Sequence, residues 1–149
     1  FHQYMDGVLD NSQMKFDLIT NELIYSNAIE ELKMDSLKYY QEHQKLFIKR
    51  SGLPTSINSQ INTDYIIKLK EINEIFKNYS TDFRIIIVPL YNQISFNDND
   101  LAILQSIFGE DFVFDFSGIN EYTDKVSNYY DNTHFKQYIG SEILTKAYK

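Results

Sequence analysis

The sequence predicts an α/β protein: a helix-rich amino-terminal part followed by a small parallel sheet flanked by helices. Three observations carry this. Phe83-Arg84-Ile85-Ile86-Ile87-Val88-Pro89-Leu90 is a β-branched run that is apolar on both faces, as a buried parallel strand requires. A second short strand, Phe112-Val113-Phe114, follows after a helix-length segment. On either side the apolar residues fall at three- and four-residue spacing, the period of an amphipathic helix. Helix, strand, helix, strand, loop, helix is the order of a parallel sheet with right-handed crossovers.

The 149 residues form most simply one domain, with a helical region over 1–60 and an α/β region over 61–149. The 43% apolar and 15% aromatic content argues against disorder, and twelve Tyr and eleven Phe without Trp predict a ring-rich core. A net charge of −7 disfavours nucleic acid and anionic membrane as partners. No cysteine is present, so disulfides and thiolate-bound zinc are excluded, while the compartment is left open. The longest apolar run, Ile85 to Tyr91, is far short of the roughly 20 residues that span a bilayer. The chain opens on Phe1 without a signal-peptide pattern and reads as a piece of a longer protein.

Residues 1–11 read as an entry segment. From Ser12, Phe16, Ile19, Leu23 and Ile24 predict a helix. Asp35 and Ser36 cap a second one through Leu37, Tyr40, Gln44, Phe47 and Ile48, with Lys49 and Arg50 in its last turn and Gly52 and Pro54 closing it. Residues 53–59 form a loop. Asn62 or Thr63 caps the richest helix, whose stripe Tyr65, Leu69, Ile72, Phe76 and Tyr79, widened by Ile66 and Ile75, is expected to face the core. The run Ile85 to Leu90 is expected to be the most buried strand. Tyr91, Asn92 and Gln93 follow its carboxyl end, where α/β sheets bind ligands, and are pocket candidates beside the alternative of an ordinary turn. Asn97 or Asp98 caps a helix that Gly109 stops, and a polar loop runs from Ser117 to Asn128. The last helix runs from about Phe135, with Tyr138, Ile139, Ile143, Leu144 and Ala147 inward.

The stretch Tyr129-Tyr130-Asp131-Asn132-Thr133-His134-Phe135 holds the one Asp-x-x-His pair of the chain. Three apart at a helix start, the carboxylate can reach Nδ1 of the imidazole, which is the orienter-and-base half of a nucleophilic triad. The plain alternative is a helix cap followed by a surface histidine. A metal site at Asp131 and His134 lacks ligands, since His2 and His43 are distant in sequence.

The strand Ile85-Ile86-Ile87-Val88-Pro89, the strand ending Phe114-Asp115-Phe116-Ser117, and Asp131-x-x-His134 before a last helix together resemble the carboxyl-terminal half of an SGNH (GDSL-like) hydrolase or acyltransferase. The resemblance covers roughly residues 62–149. It implies a flavodoxin-like three-layer fold, Asp131 as orienter and His134 as general base, no cofactor, and an acyl ester as substrate. The nearest-looking branch modifies cell-surface glycans, which implies an extracytoplasmic protein. The family's Gly-Asp-Ser turn, its oxyanion-hole glycine and its Gly-x-Asn-Asp motif have no counterpart here. Ser51-Gly52 and Ser117-Gly118 lack the strand–turn–helix setting.

Three expectations follow. The chain alone has no esterase or acyltransferase activity, because a base without its nucleophile loses most of the rate. The alternative function is a non-catalytic module of the same ancestry that binds glycan or protein, with Tyr122, Tyr129 and Tyr130 either stacked on sugar rings or packed under the loop. Two strands are too few for a stable sheet, so either the amino-terminal region adds strands or a sheet edge pairs with another chain, giving a homo-oligomer.

Overall fold

The computed structural model describes residues 15–16, 23–24 and 26–149. The entry segment 1–11 and Ile19 lie outside the described residues. The chain divides into two compact units, Phe1–Phe47 and Ile48–Lys149, so that the segment 48–60 belongs with the sheet-bearing part.

In the first unit, β1 (Lys15–Phe16) and β2 (Leu23–Ile24) pair antiparallel, Lys15 with Ile24 and Phe16 with Leu23. This corrects the helix expected from Ser12 onward. Four apolar residues fit a helical stripe, but apolar residues in short strand segments fit the same spacing. Helix α1 (Ser26–Met34) and helix α2 (Ser36–Glu42) follow, with Asp35 between them. The Asp35 side chain accepts from Lys38 N–H at 3.0 Å, satisfying one of the orphan donors of α2. The predicted cap is therefore in place, but α2 stops at Glu42 rather than running through Ile48. His43 Nε2 lies 2.8 Å from Glu31 Oε2, which ties the end of α2 back to α1. A short 3₁₀ turn (Gln44–Leu46) follows and Phe47 is extended.

The second unit is built on β4 (Ile85–Ile87) and β6 (Val113–Asp115), which pair in parallel with Ile85 opposite Val113 and Ile87 opposite Asp115. Alternation along β4 sends its side chains to two cores. Ile85 and Ile87 pack with Val113 against helix α3 (Thr63–Asn78), through Leu69 and Phe76, and against helix α4 (Asp98–Phe108), through Leu101, Leu104, Ile107 and Phe108. Ile86 points the other way, to Tyr122, Phe116, Phe135 and to Ile139 and Ile143 of helix α5 (Gln137–Ala147). Helices thus cover both faces of the pair. Full burial of such an apolar side chain contributes about 2 kcal/mol, and the half-buried ones contribute correspondingly less. Phe83 extends the first core, stacked on Phe76 at 4.6 Å and on Phe112 at 5.2 Å between ring centres.

Local chemistry explains the boundaries. Asn62 accepts from Tyr65 N–H at the start of α3, Asn97 accepts from Asn99 and Asp100 N–H at the start of α4, and Gly109 at φ 96° ends α4. The expected stripe of α3 is rotated. Leu69, Asn73 and Phe76 face inward, whereas Tyr65, Ile72, Ile75 and Tyr79 are exposed. Asn73 sits on the inward face with Leu69 and Phe76, where its amide donates to the Ile107 carbonyl at 2.6 Å and so satisfies a carbonyl in the last turn of α4.

The run Ile85 to Leu90 is not a fully buried strand. Its paired part is three half-buried residues, Val88 and Leu90 beyond it are exposed, and Pro89 between them is buried. With one neighbour among the described residues, β4 keeps an open edge. A second parallel pair, β3 (Thr55–Ser56) with β5 (Ile94–Ser95), lies where the sequence predicts a loop and a turn. Among the described residues no helix is long and apolar enough to cross a membrane.

Candidate active site

The chain leaves β6 through a loop made rigid by two side chains. Asn120 donates to the carbonyls of Phe116 (2.8 Å) and Ser117 (3.0 Å) and accepts from the N–H groups of Tyr122 (2.9 Å) and Thr123 (3.2 Å). Thr123, fully buried, donates to the Gly118 carbonyl at 2.8 Å and accepts from Asn120 N–H at 2.9 Å. Asn128 donates to the Tyr122 carbonyl at 2.7 Å, and its own carbonyl accepts from Lys136 N–H at 2.8 Å. Tyr129 and Phe135 then form an antiparallel bridge, and Tyr130 N–H donates to the His134 carbonyl at 2.8 Å. The segment 130–134 is therefore a closed loop between two pinned ends. This is why α5 starts at Gln137 and not at Phe135, which the bridge holds extended.

Inside that loop the Asp131 and His134 side chains meet. His134 Nδ1 lies 2.8 Å from Asp131 Oδ2 and 2.9 Å from Oδ1. Oδ1 also accepts from Thr133 N–H (2.7 Å), His134 N–H (2.9 Å) and the Thr133 hydroxyl (2.9 Å). Burial pushes the Asp131 carboxyl up, but the Thr133 N–H, the imidazole, the Thr133 hydroxyl and the His134 N–H outweigh it and hold it below the usual carboxylate value. An ionised carboxylate only accepts, so the contact calls for a hydrogen on Nδ1, which the Thr133 hydroxyl also approaches at 2.9 Å; in the neutral ring Nε2, on the far side, is then the nitrogen without a hydrogen. The Asp131 side chain is 24% exposed and that of His134 is 47% exposed, so the imidazole stands at a rim. Lys136, two residues on, is partly buried, which pushes its ammonium below the ordinary range.

The other candidate residues have different placements. Tyr91 is buried, with its ring edge-on to Tyr129 at 5.4 Å and beneath the Arg50 guanidinium at 3.9 Å. Asn92, half-buried, accepts from Ile94 N–H at 3.1 Å. Gln93 is buried at φ 62° and donates to the Thr123 carbonyl at 3.3 Å. Tyr130 is buried. Tyr122 and Tyr129 are buried too, so packing under the loop, not a ring face open to a sugar, describes all three loop tyrosines. The two Ser-Gly pairs have structural partners: Ser117 Oγ accepts from Phe96 N–H, 21 residues away, at 2.7 Å, and Ser51 Oγ closes a local turn by accepting from Leu53 N–H at 3.2 Å. Among the described residues no group of three or more His, Cys, Asp or Glu could hold a metal ion.

Two contributors have no sequence signature. Ile48 N–H donates to Asn132 Oδ1 at 2.6 Å, reaching into the Asp131–His134 loop from 84 residues away. Arg50 joins the same neighbourhood through Tyr91. No family model matches the chain, and no curated protein or solved structure is significantly similar to it.

Proposed function

We propose that this chain carries the acid–base half of a serine esterase or O-acyltransferase of SGNH type. Asp131 holds the imidazole in the Nδ1–H tautomer, and His134 Nε2 removes the proton of a serine hydroxyl and returns it to the leaving group. The observation that supports this most is the two-oxygen contact of Asp131 with Nδ1, in a loop whose Tyr129 neighbour donates to the Pro89 carbonyl just beyond β4. A base at the carboxyl end of a parallel pair with helices on both faces is also what a flavodoxin-like sheet offers, because ligands sit there in such folds. We place further strands of that sheet along the open edge of β4, and the serine on a segment outside this sequence. The substrate class is an acyl ester, a cell-surface glycan ester by the resemblance, and the reaction needs no cofactor.

The test is hydrolysis of p-nitrophenyl acetate by the full gene product and by this chain, each beside its His134→Ala variant. The full gene product is expected to lose at least about a thousandfold in kcat on losing the base. This chain is expected to match its variant, both at background. Turnover by the full gene product that is indifferent to His134→Ala overturns the proposal.

A further inference from the structure

We infer that Arg50 is the positioning residue of the Asp131–His134 pair: its guanidinium locks the turn after β4 and the loop after β6 into one platform on which the pair is seated. The inference rests on the reading of His134 as a base held by Asp131. Arg50 Nε donates to the Tyr91 carbonyl at 2.8 Å and Nη1 donates to the Asp124 carbonyl at 3.2 Å, so one flat cation joins two segments 41 and 74 residues away. The same guanidinium lies on the Tyr91 ring, and that ring meets Tyr129 edge-on. Tyr129 is fully buried and its hydroxyl donates to the Pro89 carbonyl at 3.2 Å. It is also the bridge partner of Phe135, and so the hinge post of the loop that contains Asp131 and His134. Two residues before Arg50, Ile48 N–H holds that loop from the side through Asn132. Every link from the guanidinium to the pair is thus a hydrogen bond, a ring contact or a backbone bridge.

The chemistry needs an arginine. What fixes it is the combination of a planar stack and two divergent N–H groups, which an ammonium on a flexible stem cannot reproduce. The guanidinium lies close enough to Tyr129 for its charge to work against the burial that pushes the Tyr129 hydroxyl up to about 12. Nothing in this arrangement puts Arg50 on a reacting atom. Its effect on chemistry is through the orientation of His134.

The readout is the tautomer of His134, observed by ¹⁵N NMR of the imidazoles in alkaline solution, where an ordinary histidine is neutral. His134→Gln assigns the signals against His2 and His43. The parent is expected to be mainly Nδ1–H, and Asp131→Ala to lose that form. Arg50→Ala and Arg50→Lys are each expected to lower the Nδ1–H share by at least half while far-UV circular dichroism stays that of the folded chain. A merely structural arginine lowers the unfolding temperature and leaves the tautomer unchanged. A parent-like tautomer in Arg50→Lys overturns the inference, whatever the alanine variant does, and if Arg50→Ala does not fold, the lysine variant decides alone. A parent that is not Nδ1–H, or that is unmoved by Asp131→Ala, instead overturns the reading of the pair itself.

Discussion

Asp100→Asn is the most informative single perturbation of the fold. Asp100 is fully buried in the first turn of α4, and its carboxylate holds the segment 59–61 against that helix. Oδ1 accepts from the Ser59 hydroxyl at 2.6 Å and from Ile61 N–H at 3.2 Å, while Oδ2 accepts from Gln60 N–H at 2.7 Å. Asparagine is nearly the same shape but can accept on one side only. Its best orientation keeps the carbonyl toward Ser59 and Ile61 and turns the NH₂ toward Gln60 N–H, donor against donor. The loss of one bond to a charged acceptor and the stranding of a part-buried N–H cost roughly 3 kcal/mol together. For a domain of this size that is roughly a 10 °C fall in Tm.

The pH dependence has a definite sign. Burial pushes the Asp100 carboxyl up, but Gln60 N–H, the Ser59 hydroxyl and Ile61 N–H more than offset it and hold it below the ordinary value. A carboxyl lowered by folding contributes its full stability above the unfolded pKa of about 4 and loses it as pH falls through the folded value. The gap between parent and variant is therefore widest near neutrality and closes in acid. Asp98→Asn, an exposed change in the same first turn, controls for the helix dipole and is expected to cost well under about 1 kcal/mol. Urea unfolding followed by circular dichroism measures both, with an unchanged m-value as the sign that only stability moved. Equal midpoints for parent and Asp100→Asn at neutral pH, or a gap that persists in acid, refute the argument.

Two further predictions concern the loop that carries the site. Gly118 has φ 74°, and a Cβ there would lie 2.5 Å from Ser95 Oγ, so Gly118→Ala is expected to cost about 2 kcal/mol, read as a lower unfolding midpoint; an unchanged midpoint refutes it. Asn120→Ala removes two donors and two acceptors from the loop, and is expected to abolish slow hydrogen exchange at the Tyr122 and Thr123 amides while the β4 amides stay protected; retained protection at Tyr122 and Thr123 counts against the loop's description.

What was legible in the sequence was local. The caps at Asn62 and Asn97, each one of two neighbouring candidates in the sequence, Gly109 and the parallel pairing of the Ile85 run with the Phe112–Phe114 segment each depend on a few neighbouring residues or on a strong apolar signal. The Asp131–His134 contact is legible for the same reason, since both side chains sit in one turn. The failures are of another kind. Pairs as short as β3 with β5 have no period to detect, and their partner is fixed by contacts such as Asn97 to the Ile57 carbonyl. The rotation of α3 turns inward one buried asparagine whose partner lies 34 residues away. Arg50 reads as the last turn of a helix that in fact ends eight residues earlier, and its partners are 41 and 74 residues distant.

These two kinds of information divide the candidate site into two problems. Within the loop, Asp131 is positioned before the imidazole is considered: two backbone N–H groups and the Thr133 hydroxyl hold Oδ1, which leaves Oδ2 at 2.8 Å as the closest oxygen to Nδ1. Hydrogen bonds that fix a ligand or base from behind are what keep its orientation through a reaction. The groups that hold the carboxylate all lie within residues 131–134. Where the loop stands is encoded elsewhere, in the Tyr129 hydroxyl on Pro89, the bridge to Phe135 and the Ile48–Asn132 bond. A change in the loop therefore alters the tautomer of His134 directly, whereas a change at the seat both loosens the pair and displaces it. The two defects have different kinetic signatures. On the proposed reading of His134 as a base, the first slows the proton transfer itself, and the second lowers the effective concentration of the base, where a displacement of about 1 Å is enough to cost on the order of a hundredfold in rate.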